Sequence, residues 1–129
     1  MNTPLVPPSI AAPNNEAYSH AVLVPAGSRL LHIAGQIGTR LDGTIPERFD
    51  EQADIVWTNL FAILAAAGME PASLVKVNAF IVGPEHIPAY VAARRRHLGE
   101  LKPASTALCV PRLVRPQWLI EIDAVAAAP

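Results

Sequence analysis

Pro103-Ala104-Ser105-Thr106-Ala107-Leu108-Cys109-Val110 and, beyond a short loop, Trp118-Leu119-Ile120-Glu121-Ile122-Asp123-Ala124-Val125 decide how this chain folds. Residues 106–110 and 118–125 are apolar runs of strand length, separated by a loop that holds Pro111, Arg112, Arg115 and Pro116. Such bounded runs mark two strands. Successive side chains of a strand alternate between faces, so Trp118, Ile120 and Ile122 oppose Leu119, Glu121, Asp123 and Val125. Glu121 and Asp123 therefore leave the sheet on the same side. Two carboxylates so placed suit a general base or a water-polarising group. The spacing by itself favours two solvated carboxylates, or a pairing with Arg112 or Arg115.

Working back from this pair, residues 18–24 and 29–36 alternate in the same manner, with Pro25-Ala26-Gly27-Ser28 between them, which predicts a β-hairpin. Gly35 inside the second run points to a bulge or to another group lying close to the backbone. From about Phe49 the period changes: Ala53, Val56, Trp57, Leu60, Ile63, Leu64 and Ala67 recur at three- and four-residue spacing. That predicts a helix of roughly five turns, closed by Gly68 in a left-handed cap. Residues 74–82 read as a further strand ended by Gly83-Pro84, and Ile87, Tyr90, Val91 and Leu98 mark a shorter helix ended by Gly99. Arg94, Arg95, Arg96 and His97 fall near the end of that helix, where positive charge suits the helix dipole. The element order is ββαβαββ, an α+β chain with no internal repeat.

The length of 129 residues gives one domain, large enough to bury roughly two-thirds of the surface its unfolded chain exposes. Residues 1–15, with Pro4, Pro7, Pro8 and Pro13, read as an extended arm, and residues 16–129 as the domain. A net charge of −1 supplies no field that would draw the chain to nucleic acid or to an anionic membrane. Apolar runs are too short to span a bilayer and no basic-then-apolar segment opens the chain, so a cytoplasmic location is expected. Cys109 alone cannot form an internal disulfide, and within its apolar strand it reads as inert filling.

Apolar residues make up 51% of the chain and charged ones only 16%. Two helices can cover one face of a five-stranded sheet, yet the strands are apolar on both faces: Val75, Val77, Ala79 and Ile81 oppose Phe80 and Val82. The uncovered face is expected to be buried by copies of the same chain in a closed homo-oligomer, with clefts at the subunit boundaries. His20 and His32 have no Cys or carboxylate at ligand spacing, so no metal is expected. Arg94, Arg95 and Arg96 read either as a solvated face or as a source of one cation directed at an anionic ligand.

Tyr18-Ser19-His20-Ala21-Val22, Ile33-Ala34-Gly35-Gln36-Ile37-Gly38, Gln52, Asn59-Leu60, Ala66-Ala67-Gly68, Val75-Lys76-Val77, Pro103-Ala104 and Ile120-Glu121-Ile122-Asp123-Ala124-Val125, in this order, resemble the RidA family. These are the reactive-intermediate deaminases, also called YjgF or L-PSP. The resemblance implies a chorismate-mutase-like α+β fold with a mixed sheet and two helices on one face. It implies a homotrimer whose sheets face inward, around three intersubunit clefts. It further implies cofactor-free hydrolysis of a small imine or enamine metabolite to a carbonyl compound and ammonia.

In that frame Glu121 matches the glutamate that positions water. Tyr18, Ala34, Gly35, Ser105, Thr106 and Ala107 match the substrate-binding positions. Ser105 stands where the family carries an arginine for the substrate carboxylate, Ala34 where a serine is frequent, and Ala107 where a cysteine is frequent. A hydroxyl in place of a bidentate cation forfeits ~2–3 kcal/mol, or about two orders of magnitude in affinity. The alternative is a non-catalytic metabolite-binding protein on the same trimeric scaffold. Ribonuclease activity, ascribed to some relatives, suits neither the charge nor the lack of a stacking stripe.

Overall fold

The structure, a computed structural model, describes residues 1–129 with the exception of the Asn15 side chain. Its elements are β1 (Thr3–Leu5), β2 (Ala21–Leu23), β3 (Arg29–Ile37), α1 (Phe49–Ala66), β4 (Leu74–Val82), α2 (Ile87–Leu98), β5 (Ala104–Val110) and β6 (Ile120–Ala128). Four strands form a mixed sheet in the order β3-β6-β4-β5, parallel only between β4 and β5. Both helices lie on one face of it, as expected of this α+β class. Among the described residues no helix is long and apolar enough to cross a membrane.

Three expectations are corrected. The predicted hairpin does not form: β2 shrinks to three residues and pairs with β1, while β3 pairs along its length with β6. The turn chemistry at residues 25–28 was sound, since Ser28 N–H donates to the Pro25 carbonyl. What the turn cannot choose is the partner, and β6 offers β3 a ladder three times longer than β2 can. The main sheet consequently has four strands rather than five. The N-terminal arm is not simply extended either, because Thr3–Leu5 makes a ladder despite Pro4 and a 3-10 turn follows at Asn14–Glu16. Proline is tolerated in an edge strand when its nitrogen faces away from the partner. Finally, the last strand begins at Ile120 and runs on to Ala128 through alanines that favour strands poorly. Ala124 and Ala126 are small enough to pass beneath α1, where both are buried.

The core lies between α1 and the sheet. Val56, Trp57, Leu60 and Leu64 of α1 are fully buried against Val77, Ile81, Ile120 and Ile122, and Tyr90, Ala93 and Leu98 bring in α2. The helix closes with Gly68 at φ 68°. Gly68 N–H donates to Ala65 and Met69 N–H to Leu64, the pair of bonds that caps a helix through a left-handed residue.

Asp54 of α1 ties the two helices by accepting from Arg96 Nη2 and His97 Nε2, both at 2.8 Å. Partial burial pushes this carboxyl up, but the hydrogen bonds and charges of Arg96 and His97 outweigh it and leave its pKa below the ordinary 3.8. A depressed folded pKa stabilises the fold above the unfolded value, and the gain disappears as pH falls through the folded one. The Asp54 side chain is 48% exposed, and solvent screening holds the effect below about 1 kcal/mol. Asp54→Asn should therefore cost a few tenths to about 1 kcal/mol in urea unfolding at neutral pH, with the difference closing as pH falls through the lowered carboxyl pKa of the folded chain. A gap that persisted in acid would assign the effect to packing instead.

Candidate functional site

Outside the sheet's last ladder, β5 presents its free edge to α2. Ser105 lies opposite Val77 and so shares the helix-covered face, as does Ala107 opposite Ala79. Tyr90 and Arg94, one turn apart on α2, face the same space. Tyr18 closes the end, held there because Ser19 N–H donates to the Pro103 carbonyl and Ser19 bridges Ala104. Together with Asn14, Ile87, Val91 and Thr106 these residues line a groove of about 450 Å³. A second hollow of about 480 Å³, at the end of α2, is lined by charges of both signs from Glu16, Arg94, Arg95, Glu100 and Lys102. Only the first has the mix of aromatic wall and converging hydroxyls that suits a small ligand.

Tyr90 is 1% exposed, and its buried hydroxyl has no hydrogen-bond partner among the described residues. Burial pushes this phenol up, while the Arg94 charge and the Ser105 hydroxyl beside it pull the other way. The Arg94 guanidinium rests over the Tyr90 ring, 5.6 Å from its centre. Thr106 alternates with Ser105 and accepts from Lys76 Nζ at 2.8 Å.

Glu121 is elsewhere. It lies opposite Phe80 on the sheet face that no helix covers, next to Asp123 opposite Asn78. The two carboxylates do share a side, and they differ in partners. Asp123 accepts from Asn78 Nδ2 at 2.8 Å, whereas Glu121 makes no side-chain hydrogen bond or ion pair among the described residues. Neither pairs with the loop arginines: Arg112 donates to the Leu113 and Val114 carbonyls, and Arg115 sits over Trp118.

The β3–β6 register slips between Ile33 and Gln36, which makes Ala34-Gly35 a bulge beside Glu121. Both alternatives foreseen for Gly35 hold at once. A Cβ on Gly35 would collide with the Glu121 carboxylate, with Cδ at 2.8 Å and Cγ at 3.0 Å. The obstruction is the mobile end of a side chain, so Gly35→Ala should displace the carboxylate rather than unfold the chain. The expected result is a melting temperature within about 2 °C of wild type and at least a roughly tenfold loss of any Glu121-dependent turnover. Full turnover in this variant would show that the position of the carboxylate is immaterial.

The residues matched to the family site thus fall into two sets. Tyr18, Ser105 and Ala107 line the β5–α2 groove, and Ala34, Gly35 and Glu121 lie on the open face. Glu121 and Ser105 are two strands apart and three residues out of step, roughly 14 Å along the sheet and on opposite sides of it. One chain cannot bring them to one ligand.

Sequence reasoning missed Tyr90 and left Arg94 undistinguished from Arg95 and Arg96. The i, i+4 spacing of Tyr90 and Arg94 was the available signal, since such residues share a helix face. Cys109 is corrected too: it is exposed on the outermost strand rather than buried filling. His20 bonds the Ala11 carbonyl, His86 the Val82 carbonyl and His97 Asp54. No group of three or more His, Cys, Asp or Glu capable of holding a metal occurs among the described residues.

The mixed sheet with two helices on one face is the α+β arrangement that the resemblance implied. Residues 9–128 match the family model described as Endoribonuclease L-PSP, so the chain belongs to the L-PSP family, also called RidA or YjgF. The crystal structure of YyfB from Yersinia pestis, a protein of unknown function in the conserved Rid family, superposes with a TM-score of 0.87 at 29% identity over 98% of both chains. RidA from the Antarctic bacterium Psychrobacter gives 0.73 at 26% identity, over 98% of this chain and 94% of that one. The RutC family protein YjgH of Escherichia coli K12 is 40% identical over 57 residues, which span 44% of each chain.

Proposed function

We propose that three copies of this chain close with their open sheet faces inward, so that the groove of one subunit meets Glu121 and Gly35 of the next. The cleft so formed hydrolyses a small imine or enamine without a cofactor. The observation that carries this reading is the separation of the two residue sets on one chain, each incomplete without the other. The uncovered face supports it. Leu30 and Leu108 are 57% and 49% exposed there, with Phe80, Val82 and Val125 half-buried beside them, a surface that a neighbouring sheet would cover.

In this cleft Glu121 takes a proton from water as the water oxygen attacks the C=N carbon. The product of that step is a tetrahedral carbinolamine. Proton transfer to nitrogen and collapse of the intermediate release ammonia and leave a carbonyl compound, so imine and water balance carbonyl and ammonia. Tyr18 packs on the substrate, and Ser105 and the backbone at Thr106 and Ala107 supply hydrogen bonds. The reading takes the chain to act in the cytoplasm on a metabolite, with neither nucleic acid nor membrane as partner.

RNA cleavage suits the geometry less well. The groove carries one cation, Arg94, and one accessible ring, Tyr18, where a strand of RNA needs a track of cations and stacking faces. The test is ammonia release from enzymatically generated 2-iminobutanoate. Turnover above the spontaneous rate that depends on Glu121 supports the reaction. Ligand-induced thermal stabilisation with no ammonia released would leave a binding protein in its place.

A further inference from the structure

We infer that Arg94 supplies the carboxylate anchor that Ser105 cannot, so that the cleft takes small monoanionic acids; this rests on the groove being the substrate half of the proposed cleft. Arg94 lines the groove with Ser105, Tyr18 and Tyr90. Its guanidinium has no anionic partner among the described residues, unlike Arg40, Arg48 and Arg96, which pair with Glu51, Asp50 and Asp54. Arg29 and Arg112 are bonded to backbone carbonyls. A cation that rests over the Tyr90 ring but has no counter-charge, in a ligand-sized groove, is one half of a charge-assisted pair.

The second observation is independent. The Tyr90 hydroxyl is buried, makes no well-aligned hydrogen bond among the described residues, and lies beside the Ser105 hydroxyl and Arg94 at the same groove, so a ligand oxygen seated there would give it a full partner. A carboxylate seated between Arg94 and Ser105 has two oxygens: one accepts from the guanidinium, the other from the Tyr90 or Ser105 hydroxyl. Neutral ligands of the same shape would leave the cation unanswered. The planar guanidinium fork makes this a preference for carboxylates in particular.

The inference is tested by calorimetric titration of the full chain with 2-oxobutanoate and with the uncharged 2-oxobutanamide. Wild type should prefer the acid by about 10- to 100-fold. Arg94→Gln should bring the two ligands within a few-fold of each other, Arg94→Lys should restore part of the preference, and Arg95→Gln should retain all of it. Melting curves confirm that each variant is folded. Equal binding of acid and amide by wild type, undetectable binding of the acid, or undiminished preference in Arg94→Gln overturns the inference. Ammonia release is scored separately: acid binding through Arg94 without hydrolysis keeps the anchor and defeats the reaction, and hydrolysis indifferent to Arg94 does the reverse.

Discussion

Glu121→Gln should lower ammonia release from an imine substrate by roughly 10²- to 10⁴-fold, the usual worth of a positioned general base, while leaving the melting temperature nearly unchanged. The two halves of this result have one cause. Glu121 is the second residue of β6, and its carboxylate, over the Gly35 backbone, makes no hydrogen bond or ion pair among the described residues. Removing its charge therefore breaks no contact that holds the fold. Asp123→Asn provides the contrast, because its carboxylate is already engaged by Asn78. That variant should lose little turnover. If Glu121→Gln hydrolysed imine as fast as wild type, the residue would have no part in the reaction.

Gln52→Leu should be the most damaging conservative change to the fold, costing about 2–4 kcal/mol and lowering the melting temperature by roughly 10 °C. Gln52 is fully buried in the first turns of α1. Its Nε2 donates to the Pro46 carbonyl at 2.8 Å and the Gln117 carbonyl at 2.9 Å, and its Oε1 accepts from Leu119 N–H at 2.8 Å. Leucine fits the volume and strands all three groups. The effect should reach the site as well, since Leu119 immediately precedes β6 and Glu121 follows two residues later. Gly38 lies so close to α1 that a Cβ would stand 2.6 Å from Gln52 Cβ, so the end of β3 and the start of β6, which pair with each other, are both held at this one residue. Equal unfolding midpoints for wild type and Gln52→Leu would remove that role.

Much of the fold was legible because its signals are local. The 3.6-residue period from Phe49 gave α1 its length and Gly68 its cap, and residues 74–82 matched β4 at both ends. The failures share a different cause. Residues 25–28 turn as their composition says, but whether β3 then pairs with β2 or β6 depends on strands about a hundred residues away. Ala126, Ala127 and Ala128 extend β6 because of what packs on them, not because alanine favours a strand. At the site, alternation correctly put Glu121 and Asp123 on one side, and could not say which was already engaged. Arg94, Arg95 and Arg96 are indistinguishable as a charge run; their different positions around α2, and what packs on each side of it, send the first to the groove and the last to Asp54.

Cross-linking reads out whether the groove of one subunit faces the bulge of the next. A chain with Cys109→Ser, to remove the exposed native thiol, would carry both Ala34→Cys and Ser105→Cys and be treated with a short bismaleimide. The double variant should give covalent trimers on a denaturing gel, and the two single variants, when mixed, should give dimers. A product that stayed at the mass of one chain, with both thiols modified, would contradict it.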